Sequence, residues 1–180
     1  MEETKSEIQE RVIHIGRVVK VVKGGRRFSF NALVVAGDGK GKIGWGMGKA
    51  NEVPEAIRKG SVAARKKFLK INLANFTIPH EVKVKFGSCK MMIHPAKEGV
   101  GIIAGGALRA VMELVGIKDV VAKCHGSTNP HNVLKASIEC LKQLRVPEVI
   151  FARRGKEFPR EETVAAPKLS ESPQGVETVA

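Results

Sequence analysis

Between residues 43 and 48 the chain reads Ile43-Gly-Trp-Gly-Met-Gly48, apolar side chains alternating with glycine at a period of two. Successive side chains of a strand point to opposite faces. A strand here has one large apolar face and one face with no side chains at all. Glycine inside a strand marks a place where another backbone comes close. Two occupants of the bare face are open. One is a helix of the same chain. The other is an outside backbone, RNA or a neighbouring protein, with Lys40, Lys42 and Lys49 flanking the glycines to meet phosphates.

The same segment holds Gly39-Lys-Gly-Lys-Ile-Gly44, formally G-x-G-x-x-G. A dinucleotide fingerprint needs a helix immediately after the glycine turn, whereas more strand follows Gly44. A Walker loop ending at Gly48-Lys49 would need glycine at 43 and Ser or Thr at 50, where Ile43 and Ala50 stand. A second run, Gly99-Val-Gly-Ile-Ile-Ala-Gly-Gly106, does open a helix, and free N–H groups there can hold an anion. No Ser or Thr follows for magnesium. Close packing or protein contact, an RNA phosphate, and a kinase-type phosphate loop all stay open for it.

The pattern around these runs is α+β. Residues 11–49 read as three antiparallel strands joined by hairpins at Gly24-Gly25 and Gly37–Gly41. A helix follows, capped by Asn51 or Glu52, with Pro54 in its first turn and a stripe running to Phe68. The pattern breaks over residues 72–79. Val82–Phe86 and Cys89–His94 read as paired strands around Gly87-Ser88. A helix Ala107–Val115 is closed by Gly116 as a left-handed cap. A strand Asp119–Cys124 and a helix Pro130–Leu144, started by Asn129-Pro130, complete the order β-β-α-β-α. The expected division is an extension at 1–10, a first domain at 11–74, a second at 75–155 and a flexible acidic tail at 156–180.

Charge narrows the partners. Lys and Arg number 31 against 18 Asp and Glu, a formal net charge of +13. Such a field attracts polyanions, and nucleic acid is the first expectation. The excess lies ahead of residue 161, because the last twenty residues hold four glutamates and one lysine. Neither an 18-residue apolar run nor a basic-then-apolar leader stands out, so a cytoplasmic protein with no membrane partner is expected. Arg17, Lys20, Lys23, Arg26 and Arg27 crowd the first hairpin around Gly24 and Gly25. Arg58 with Arg65, and Lys59 with Lys66, are seven residues apart and share one helix face, with Glu52 and Glu55 confined to the first turn. Aromatics are few, with no Tyr and one Trp. Phe28, Phe30 and Trp45 read as core. That scarcity points away from base stacking and towards structured RNA recognised by phosphates and shape.

No catalytic set emerges from His14, His80, His94, His125 and His131. Cys89, Cys124 and Cys140 are an odd count with no C-x-x-C, and read as small buried thiols in a reducing compartment. A zinc site from Cys124, His125 and His131, with Cys89 or His94, matches no established spacing. Neither a metal nor a cofactor is expected. The chain reads as a non-enzymatic RNA-binding protein. A free-standing double-stranded-RNA-binding regulator and a phosphotransferase using Gly99–Gly106 are the competing classes.

Two ordered blocks sharpen this. VKGGRRFSFNALVVAGDGKGKIGWGMGKANEVPEAI, residues 22–57, and EGVGIIAGGALRAVMELVGIKDVVAKCHGSTNPHNV, residues 98–133, resemble the two domains of the bacterial small-subunit ribosomal protein S-five family. The resemblance implies a first domain similar to double-stranded-RNA-binding modules and a second with a left-handed β-α-β crossover. It implies binding to small-subunit ribosomal RNA, contacts with ribosomal proteins S-four and S-eight, a place beside the channel where messenger RNA enters, and a part in decoding accuracy. It maps a spectinomycin-sensitive region onto Lys20, Lys23, Gly24, Gly25, Arg26 and Arg27. It maps the S-four contact near Gly105, Gly106, Ala107 and Arg109.

Overall fold

β1 (Gln9–Val22), β2 (Gly25–Gly37), β3 (Lys42–Ala50) and β4 (Leu69–Lys70) form an antiparallel sheet in that order. The structure is a computed structural model and describes residues 8–73 and 76–155. The expected acidic tail, most of the N-terminal extension and the boundary at 74–75 lie outside those residues. β4 corrects the expected three strands. α1 (Val53–Arg65) ends sooner than its apolar stripe suggested, and the residues read as its last turn become this short edge strand. Extended backbone there carries Leu69 and Ile71 to the core, with Leu69 opposite Ile43.

α1 settles what covers the bare face of β3. Its buried residues are Ala56, Gly60, Ser61 and Ala64, all small. A Cβ on Gly48 would sit 2.5 Å from Gly60 N, and one on Gly46 would sit 2.5 Å from Ala64 N. The helix therefore lies on the glycines at backbone distance, and no RNA backbone reaches that face. Pro54 stands in the first turn as expected, but Glu52, the residue at the cap, makes no side-chain capping bond.

The second sheet consists of β5 (Val82–Phe86), β6 (Cys89–Pro95), β7 (Ile102–Ile103) and β8 (Val120–Gly126), in the order β5-β6-β8-β7. β7 runs parallel to β8, and α2 (Gly106–Val115) connects them. α3 (Pro130–Lys142) and α4 (Pro147–Arg153) follow. The observed order is thus β-β-β-α-β-α-α. β7 escaped the sequence reading because its two residues sit inside a glycine run. α4 has no buried residue, so it leaves no apolar stripe to read. The other signals hold: Gly116 caps α2 at φ 96°, and Asn129 Oδ1 accepts from His131 N at 3.1 Å to start α3.

One core serves both sheets. Leu33, Val35 and Ile43 from the first cluster with Met91 and Ile93 from the second, Val111 and Met112 from α2 and Leu134 from α3. Each such fully buried side chain is worth roughly 1.5–3 kcal/mol. The β2–β3 turn fastens to the end of α2, where Gly39 N donates to Leu114 O at 3.0 Å and Gly41 N to Val115 O at 2.9 Å. A smaller cluster of Ala32, Val34, Ala50 and Ala56 lies under α1.

Candidate RNA interface

The first hairpin outgrows its sheet. β3 stops at Ala50, opposite Phe30, so residues 18–29 of β1 and β2 pair with each other alone. This ribbon ends in the turn Lys23-Gly24, followed by Gly25 at φ 129°. Register puts Lys20 opposite Arg27 and Val21 opposite Arg26. Neighbouring cross-strand pairs face opposite sides, so cations project from both faces of the ribbon. The guanidinium of Arg17 lies 3.7 Å above the Phe28 ring. Phe28 was expected in the core; it is 45% exposed because the ribbon extends past α1. Phe30 and Trp45 are half-buried against the two clusters.

Lys20, Lys23, Arg26 and Arg27 have no acidic partner among the described residues. Like charges directly opposed across strands destabilise a sheet, as Lys20 and Arg27 are. The tip is therefore a concentrated positive charge that nothing described in the chain neutralises.

The α1 row is less free. Arg58 and Lys59 both reach Glu55, at 3.9 and 3.3 Å. Arg65 Nε donates to Glu10 at 2.7 Å. Burial works to raise the Glu10 pKa, but the Ser61 hydroxyl and Arg65 outweigh it and hold the carboxyl below its ordinary value. Glu10 comes from β1, so helix spacing alone could not reveal it, and the acid-free face read from the sequence is corrected here. Lys66 stands at the C-terminal cap with no ion pair among the described residues.

Lys40, Lys42 and Lys49 are all exposed but are not brought together. Asp38 Oδ1 accepts from Lys40 N at 2.8 Å and Lys42 N at 2.9 Å, fixing the turn at one end of β3. Lys49 lies near the other end, roughly 23 Å away along the strand and on its opposite face. Beside Lys49 in the register is Asn31, whose Oδ1 is buried with no hydrogen-bond partner among the described residues. An alternation signal cannot announce such an atom.

Gly105 is the N-cap of α2 and Gly106 its first residue, with no capping side chain. A cavity of about 320 Å³ opens there, lined by Gly105, Gly106, Ala107, Lys123, Thr128 and Val133 among others. Arg109 Nε donates to Glu113 at 3.1 Å, and Glu113 also pairs with Arg11 of β1. In the rest of the second glycine run, Gly101 is tied inward. Gly101 N donates to the buried Asp119 carboxylate at 2.7 Å, and Gly101 O accepts from Val120 N. That backbone braces the turn into β7 instead of cradling a phosphate. No group of three or more His, Cys, Asp or Glu is placed to hold a metal among the described residues. No helix of the described residues is long and apolar enough to cross a membrane.

A two-sheet scaffold with an unneutralised cationic ribbon defines a nucleic-acid-binding protein. Residues 8–72 match the family model for ribosomal protein S5, N-terminal domain, and residues 84–154 that for ribosomal protein S5, C-terminal domain. Among curated relatives, the small ribosomal subunit protein uS5 of Syntrophobacter fumaroxidans is 53% identical over 157 residues, covering 87% of this chain and 95% of the relative. Its counterpart in Hahella chejuensis is 54% identical, covering 84% and 90%, and that in Lawsonia intracellularis 53%, covering 89% and 99%. The chain belongs to the ribosomal protein S5 family, whose members are structural, non-enzymatic, RNA-binding constituents of the small ribosomal subunit.

Proposed function

We propose that the chain works in the cytoplasm as a scaffold of the small ribosomal subunit, with its cationic ribbon as the principal grip on ribosomal RNA. The observation that carries this is the set Lys20, Lys23, Arg26 and Arg27 on a ribbon beyond the sheet, without acidic partners among the described residues. Arginine forks match phosphate oxygens in pairs, and glycines 24 and 25 leave the turn open: a Cβ on either meets nothing within 4 Å. Arg17, Lys49, Arg58, Lys59 and Lys66 extend the positive surface, while Lys40 and Lys42 serve a separate edge. Arg65 contributes less, being held by Glu10.

The finer assignments follow from the family resemblance. The start of α2, with Gly105, Gly106, Ala107 and Arg109, faces ribosomal protein S-four. S-eight is a second neighbour, the channel where messenger RNA enters runs alongside, and the scaffold supports decoding accuracy. The ribbon tip is the spectinomycin-sensitive region. An uncapped helix end beside a cavity supports the protein-contact reading, since it leaves backbone donors for a partner.

Phosphate binding releases counterions, so log affinity falls with log salt by about 0.7–0.9 per phosphate. Filter binding of the full chain to small-subunit ribosomal RNA across a salt series tests the ribbon. Arg26→Ala with Arg27→Ala flattens the slope by about 1.4–1.8 if each arginine meets one phosphate. A slope equal to the wild type's would remove the ribbon from the interface.

A further inference from the structure

The outer face of the second sheet carries charge that the ribbon does not account for. Val82, Cys89, Met91, Ile93, Val120 and Ala122 point into the core. The alternate residues Lys83, Lys85, Lys90, Lys123 and His125 are exposed. Register sets them side by side. Lys85 stands directly opposite Lys90, and Lys90 opposite His125. Met92 stands between Lys83 and Lys123 in the next row. Four lysines thus share one face over three adjacent strands, with about 4.8 Å between neighbouring strands.

Glu81, at the rim, bridges Lys83 at 3.7 Å and His94 at 3.0 Å. Lys85, Lys90 and Lys123 have no acidic partner among the described residues. Opposed like charges are a cost to the free sheet, and a polyanion laid across them removes it. Phe86 belongs to the inner face, with Lys135 Nζ of α3 5.7 Å from its ring centre. The lysine rows therefore offer charge without a stacking platform. Lysine is depleted at protein–protein interfaces, whereas lysines that neutralise phosphates gain counterion release.

We propose that this face is a second RNA site, separate from the ribbon, and that its occupant is the sugar–phosphate backbone of small-subunit ribosomal RNA. The proposal rests on the RNA-binding reading above and adds a site in the other sheet. Lysine rows grip phosphates without reading bases, so the contact positions the second sheet on the RNA and carries no sequence preference.

The test is the same salt series on the full chain, with Lys85→Gln and Lys90→Gln together, Lys123→Gln alone, and Lys85→Arg with Lys90→Arg. The glutamine pair flattens the slope by about 1.4–1.8 and Lys123→Gln by about 0.7–0.9, while the arginine pair keeps the wild-type slope. Lys123→Gln keeps the test readable if the paired variant melts early. Unchanged slopes in both glutamine variants, with the Arg26/Arg27 variant still flattened, would overturn this face alone. Unchanged slopes accompanied by lost binding to an acidic ribosomal protein would also overturn it and assign the face to a protein. A wild-type chain that ignores the RNA would bring down the ribbon reading first, and this one with it.

Discussion

At the scale of single residues, His131 ties the two halves of the molecule to pH. Its ring meets His14 of β1 edge-on, with centroids 6.4 Å apart. Burial, then the nearby His14 and Lys135, hold its pKa below the ordinary 6.5. The folded chain keeps the ring neutral while the unfolded chain protonates it near 6.5. Its contribution is therefore present above that pH and is lost as pH falls towards the folded value. Melting temperature should drop between pH 7 and 5, and His131→Gln should make that drop shallower; an unchanged pH profile would contradict the assignment. Cys140 behaves in the opposite sense. Burial, with Cys89 nearby, pushes its thiol up to about 12. It stays protonated and inert at neutral pH, in keeping with the packing role read from the sequence.

At the scale of elements, the close fit of α1 on β3 makes a sharp prediction. Gly48→Ala puts a methyl against Gly60 N and Ala56 O, both backbone atoms that cannot rotate away. Overpacking of this kind costs about 1–3 kcal/mol. Gly24→Ala, at a turn where a Cβ meets nothing within 4 Å, should stay within about 0.5 kcal/mol. Urea denaturation of the two variants separates them, and equal midpoints would mean that the helix does not lie on the glycines. This fit was half legible in the sequence. Alternating glycines announced a bare face, but a helix and an outside backbone, RNA or protein, both stayed open until Ala56, Gly60 and Ala64 were seen opposite them. Elements with strong end signals were readable: α2 through Gly116, α3 through Asn129-Pro130. β4 and β7, two residues each, carry no periodicity, and α4 buries nothing. The ribbon's cations were visible because they are contiguous in the chain. The lysines of the outer sheet face come from three segments and meet through register alone. Arg65, on α1, looked free because its partner Glu10 lies on β1.

At the scale of the whole molecule, the two sheets share one buried cluster. Leu33, Val35 and Ile43 share a cluster with α2 and α3, and the Gly39 and Gly41 amides are bonded to the last turn of α2. Gly116 is the tightest point of this junction. Its φ of 96° suits glycine, and a Cβ there would lie 2.7 Å from Gly39 C. Neither half can open without exposing apolar surface of the other, so the two should unfold together, as small cooperative units do. Two probes sit on elements of different halves: fluorescence of Trp45, the one tryptophan, on β3, and thiol labelling followed at Cys140 on α3. Their urea midpoints should coincide in the wild type. Gly116→Ala should lower both together, by at least the roughly 1–3 kcal/mol of a strained backbone position. Midpoints that separate, or a substitution that moves the Cys140 midpoint and leaves that of Trp45, would show two independent domains. Coincidence would mean that the ribbon's sheet and the second sheet unfold as one cooperative unit, as suits the scaffold proposed above, with one RNA site on each.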